Sequence, residues 1–182
     1  KGPDGKYIED KSPKRSDALL KQLVDDFRVA DYSSALLGMV GDQFYKEGDL
    51  GRARECFNRL LNFFPKSLFL DWAAVGLGDM AMKEAEPNYP DALKYYTMAT
   101  EEFIGSKYGE ALLGKARVQF YTAKLEESEN SLKDILKDKS FPPEQKAEAT
   151  WLMGEIKFQQ KALPEAFNFF QRRVKSLVAS SD

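Results

Sequence analysis

The chain has 182 residues, 43% hydrophobic and 31% charged, with 27 Lys and Arg against 29 Asp and Glu for a formal net charge of −2. That length supports one domain with a full core or one continuous array, and the near-neutral charge argues against broad electrostatic binding of nucleic acid. Histidine is absent and Cys56 is the single cysteine, which removes the commonest general base and metal ligand together and excludes an intramolecular disulfide.

No apolar run approaches the roughly 20 residues of a membrane span, so no direct membrane insertion is expected in this chain. No signal peptide is visible. The chain begins at Lys1 rather than Met, which suggests a trimmed or processed form with room for an upstream signal or anchor.

Residues 1–15 (KGPDGKYIEDKSPKR) are polar and carry two prolines, an expected flexible lead-in to a single domain over 16–182. Ser16 or Asp17 is placed to cap a helix running to about Ala30, with Leu19, Leu20, Leu23, Val24 and Phe27 on its apolar side. Four helix pairs are predicted after it, near 33–47 and 50–63, 67–84 and 90–104, 107–123 and 125–138, and 143–160 and 164–178. All eight prolines fall outside the helix interiors or in a first turn. No stretch sustains period-two alternation, so the fold class is all-α with no strand.

The pairs repeat. Glycines stand in the first helices at Gly41, Gly78, Gly114 and Gly154. Small residues stand near the start of the second helices at Ala53, Ala92, Ser128 and Ala166, and four residues beyond these come Phe57, Tyr96, Leu132 and Phe170. A small residue lets two helices lie close, and the larger one four residues on fills the groove on the same face. Gly48 suits the tight turn of the first pair and Pro65 stops its second helix. The glycine-to-small distance is 12 in pairs one and four and 14 in pairs two and three. In pair two the excess sits in Glu86-Pro87-Asn88-Tyr89-Pro90. In pair three it leaves the register of the first helix open, with Arg117 at the usual aromatic position and Phe120 or Tyr121 as substitutes.

This spacing resembles the tetratricopeptide repeat (TPR), a helix–turn–helix unit of 34 residues. The resemblance covers residues 33–178. It implies a right-handed superhelix of antiparallel helix pairs, with about four repeats near 33–65, 67–104, 107–138 and 143–178 plus the N-terminal helix as a cap. It also implies that ligands contact the concave, first-helix face at set offsets from the anchoring glycine. In this sequence those offsets give Asp42, Tyr45 and Lys46; Trp72, Asp79, Met82 and Lys83; Tyr108, Lys115 and Gln119; and Trp151, Glu155, Phe158 and Gln159. For Trp72 and Trp151 packing between repeats is the competing reading. The Lys and Asn clamp of the chaperone-binding subclass is missing: its two positions hold Gly38 and Asp42, Val75 and Asp79, Ala111 and Lys115, and Trp151 and Glu155. The stretch Phe64-Pro65-Lys66-Ser67 is similar to the repeat endings of bacterial envelope TPR proteins, such as the Tol–Pal-associated repeat domain. That likeness favours a periplasmic or envelope setting over the cytoplasm.

Catalytic patterns are missing. No serine has a histidine or an SxxK lysine. Adjacent carboxylates such as Asp25-Asp26, Glu101-Glu102 and Glu126-Glu127 diverge by about 100° on a helix. The glycines follow no phosphate-binding pattern, and no loop matches a calcium site. The basic groups Lys11, Lys14 and Arg15, and Arg172, Arg173 and Lys175, are small. The expectation is a non-enzymatic scaffold, without cofactor or metal, that binds a peptide or helical segment of a protein partner in the concave groove. The alternative is self-association, as the oligomerisation or regulatory arm of a larger assembly.

Overall fold

The computed structural model describes residues 31–179, so the lead-in and the helix expected over 16–30 lie outside the described residues. Eight α-helices follow in order: α1 Asp31–Glu47, α2 Leu50–Phe63, α3 Leu70–Met82, α4 Tyr89–Thr97, α5 Tyr108–Tyr121, α6 Leu125–Lys137, α7 Pro143–Gln159 and α8 Leu163–Ala179. No strand occurs among the described residues. The chain is all-α. Two boundaries depart from expectation. Residues 67–69 form a turn before α3, with Phe69 N–H donating to Ser67 Oγ at 3.0 Å. At the other end of that pair, α4 widens into a π-turn, Met98–Glu102. There the Thr100 hydroxyl takes the Tyr96 carbonyl at 3.0 Å, competing with the backbone for that acceptor.

The turns repeat as closely as the helices. In pairs one, three and four the first helix ends on a residue with positive φ: Gly48 (83°), Ala123 (60°) and Lys161 (61°). The following N–H returns to a carbonyl five residues back in each, Asp49 to Phe44, Lys124 to Gln119 and Ala162 to Lys157, at 2.8–2.9 Å. These are Schellman closures. Only the first uses glycine; Ala123 and Lys161 take the left-handed conformation at a cost of about 1 kcal/mol each. Pair two replaces this turn with residues 83–88, closed by Asn88 N–H to the Ala81 carbonyl at 2.9 Å. Asp49 and Asn88 then cap α2 and α4, accepting from Arg52 and Asp91 N–H.

The turn geometry settles the register of α5. The positive-φ residue lies seven residues past Gly41 and seven past Gly154; seven before Ala123 is Ala116. Ser128, the small residue of α6, donates its hydroxyl to the Ala116 carbonyl at 2.8 Å. Ala116, not Gly114, therefore anchors the third pair, and its distance to Ser128 is 12. Gly114 instead corresponds to Gly76. Each of these two glycines lies against the aromatic ring of the preceding pair: Gly76 against Phe57, Gly114 against Tyr96.

Close contacts join each helix to the next, and α1, α3, α5 and α7 also pack on one another in that order. Short turns make successive helices antiparallel neighbours. The second helices are amphipathic: Ala53, Cys56, Phe57 and Leu60 form the buried side of α2, and Ser128, Leu132 and Ile135 that of α6. α3 has neighbours on several sides, and 10 of its 13 residues are buried. One cluster joins α1, α2 and α3 around Leu37, Phe57, Leu60 and Met80; another joins α5, α6 and α7 around Leu113, Leu132, Ile135 and Ile156.

Candidate functional site: a polar ladder across the first helices

The side chains at the expected contact positions separate into two groups. On α1, Lys46 pairs with Asp42 at 2.6 Å. Tyr45 on the same helix lies under the Lys83 ammonium, 4.1 Å from its ring centre. Asp79, one turn before Lys83 on α3, accepts from the Tyr96 hydroxyl at 2.5 Å. Met82 is half-buried against Ala81, Ala92, Tyr96 and Val118. Trp151, Glu155, Phe158 and Gln159 lie on α7, with Trp151 tilted over Phe170 at 5.1 Å; Trp151, Phe158 and Gln159 are exposed.

The others turn elsewhere. Trp72 Nε1 donates to Ser106 Oγ at 2.8 Å and its ring carries the Lys107 ammonium, so it packs onto the start of the next pair, as the competing reading holds. Tyr108 stacks on Phe141 at 6.2 Å, and Lys115 pairs with Glu101 at 2.8 Å. Gln119 is buried, its amide donating to Glu127 and its carbonyl accepting from Ser131. All three third-pair positions rested on Gly114 as anchor. Counted from Ala116, the same three offsets fall on Glu110, Arg117 and Tyr121.

One of those completes the ladder. Arg117 on α5 donates from Nε to Glu148 Oε1 on α7 at 2.7 Å, with a second bond from Nη2 to the same oxygen. The charge of Arg117 also acts on Asp79, lowering its carboxyl against the effect of burial. Tyr45, Lys83, Asp79, Arg117 and Glu148 thus form one line of polar groups from α1 across α3 and α5 to α7. Arg117, Glu110 and Glu148 were missed in the sequence, and 12 residues counted back from Ser128 was the signal that locates them.

Burial raises the Asp79 carboxyl above the usual carboxylate range, against the opposing donation from Tyr96 and the charge of Arg117. Burial first and Asp79 second push the Tyr96 hydroxyl far up, which keeps it a donor. Tyr45 is raised too, mainly by burial. Such a line offers alternating cationic, anionic and aromatic contacts to an extended ligand. Cys56 stands apart, buried between helices, with its thiol raised to about 11 by that burial. Among the described residues no three His, Cys, Asp or Glu side chains are grouped to hold a metal ion, and no helix is long and apolar enough to cross a membrane.

The chain matches no protein-family model, and a search of the curated proteins returns no match.

Proposed function

We propose that this chain is a TPR-like array, a right-handed superhelix of helix pairs, and that it acts as a non-enzymatic scaffold binding a peptide or helical segment of a protein partner along the first-helix face. The observation that carries the reading is the packing of alternate helices: α1, α3, α5 and α7 lie against one another in that order, as the first helices of a helix-pair array do. The repeated Schellman turns also support the array. A ligand of mixed charge with an aromatic or aliphatic anchor suits the ladder, because cationic, anionic and ring groups alternate along it.

Crosslinked capture from a lysate tests the reading, with the wild type beside a Lys46→Glu/Lys83→Glu variant. Both lysines are exposed, so helicity by circular dichroism is expected to stay unchanged. A protein held by the wild type and lost by the variant supports the groove. Equal capture by both overturns it.

A further inference from the structure

Phe57 and Tyr96 are each closed on the far side by the next first helix, at Gly76 and Gly114. Tyr89 of α4 is likewise covered, stacked at 6.0 Å on Tyr121 of α5. Phe170 occupies the same position over Gly154, yet among the described residues no helix follows α8. What the next helix covers elsewhere is open here. Along α8 the open stripe is Leu163, Phe167, Phe170 and Val174, at helical spacings of four, three and four. Trp151 and Phe158 extend it onto α7, one turn on either side of Gly154. The two stripes are continuous, because Phe170 touches both Gly154 and Trp151. A repeat face that meets water is polar on its outer side; the open side of α7 and α8 is apolar.

We propose that this face is the contact between two copies of the chain, related by a two-fold axis along the seam between α7 and α8. An intact aromatic side chain carries about 150–250 Å², so exposures of 50% for Trp151, 58% for Phe158 and 64% for Phe167 leave roughly 250–450 Å² of ring uncovered. Leu163 and Val174, each more than half exposed, add to that. A stable interface buries about 800 Å² per partner, somewhat over half of it apolar, or about 450 Å². The stripe meets that requirement. An isologous contact also needs a surface that matches itself. An axis along the seam sets α7 of one copy against α8 of the other. It keeps the two α7 helices parallel, so each α7 lies antiparallel to its partner's α8, the relation that successive helices have within the chain.

Sedimentation equilibrium of the full chain over about 1–100 µM tests this, since areas of this size correspond to micromolar or tighter constants. The wild type is expected to be a dimer in that range. Phe158→Glu/Phe167→Glu alters only exposed side chains and is expected to weaken dimerisation by at least about 30-fold with unchanged helicity. The Lys46→Glu/Lys83→Glu variant, which tests the ladder, is expected to dimerise as the wild type does. A wild type that stays monomeric to about 100 µM overturns the proposal, whether a partner helix or residues 1–30 then cover the stripe. Growth beyond the dimer overturns it in favour of a head-to-tail contact, and so does a Phe158→Glu/Phe167→Glu variant that dimerises normally.

Discussion

Phe57 and Phe170 are the same residue at the same step of the repeat, four past a buried alanine and against a first-helix glycine. One is closed on both sides and 1% exposed, the other closed on one side and half-buried. Their difference comes from the neighbour, not from the local sequence. Within a pair, a small residue and a ring lock two helices together; between pairs, a second glycine locks the ring from behind. In a fold made of such locks, the stability of any pair depends on whether the next one is present.

That contrast is sharpest for truncation of the two rings. Phe57→Ala removes a fully buried ring from between Gly41 and Gly76 and is expected to cost about 3–5 kcal/mol. Phe170→Ala, losing a half-exposed ring, is expected to cost about 1–2 kcal/mol in the monomer. Urea unfolding measures both, and equal losses would break the comparison. A smaller effect follows from the near-side glycines. A Cβ at Gly41 would stand 2.6 Å from Phe57 Cε1, and one at Gly154 2.5 Å from Phe170 Cε1. Phe57 is backed by Gly76 and has nowhere to move, whereas Phe170 is free to tilt outward. Gly41→Ala is therefore expected to lose about 1–2 kcal/mol, overpacking outweighing the gain in helix propensity. Gly154→Ala, with the same gain and a movable ring, is expected to be neutral or stabilising by up to about 1 kcal/mol.

How far the sequence revealed this depends on which feature supplied the ruler. The apolar spacing placed all eight described helices, because each second helix has one buried stripe and prolines mark the ends. The anchoring glycine was a good ruler in pairs one, two and four, where Gly41, Gly78 and Gly154 face the ring of their own pair. It failed in pair three, where Gly114 makes room for Tyr96 of the preceding pair and Ala116 packs with Leu132 of its own. A glycine read from sequence does not say which neighbour it makes room for. The two-residue error moved the expected contacts to Tyr108, Lys115 and Gln119, and hid Arg117 and Glu110. Glu148 was invisible for another reason: its role comes from Arg117, 31 residues away. Ala123 and Lys161 gave no turn signal either, since neither residue type favours positive φ.

The junctions differ in their electrostatics as well as in their rings. Glu129 on α6 accepts from Lys133 at 2.8 Å, and from Lys157 of α7 at 2.9 Å. With Gln160 added, these bonds, led by that from Lys133, hold the Glu129 carboxyl down at about 2. The unfolded value is about 4.3. Because the folded value is the lower, the stabilisation is present above about pH 4.3 and is lost as pH falls toward 2. Allowing for solvent screening of the lysines, it amounts to about 1–2 kcal/mol. Glu129→Gln is expected to lose that much near neutral pH and to match the wild type near pH 2, as followed by thermal unfolding across the range. A constant difference at every pH would show that packing, not charge, joins α6 to α7.

Asp79, in the interior, is expected to act with the opposite sign and more weakly. Burial raises its folded carboxyl above the unfolded value of about 3.9. The folded chain therefore binds the proton more tightly, and the associated stability is full below about pH 3.9 and lost as pH rises through the folded value. Asp79→Asn keeps an acceptor for the Tyr96 hydroxyl and removes the charge, so its stability is expected to be flat where that of the wild type declines. Tyr96→Phe removes a bond that lowers the Asp79 value, so the decline is expected to extend to higher pH, with a further loss of about 1 kcal/mol from the missing hydrogen bond. Unfolding midpoints measured from pH 3.5 to 7 separate the three chains. If Asp79→Asn declines in parallel with the wild type, another group carries the titration, and the interior junction depends on its rings and glycines alone.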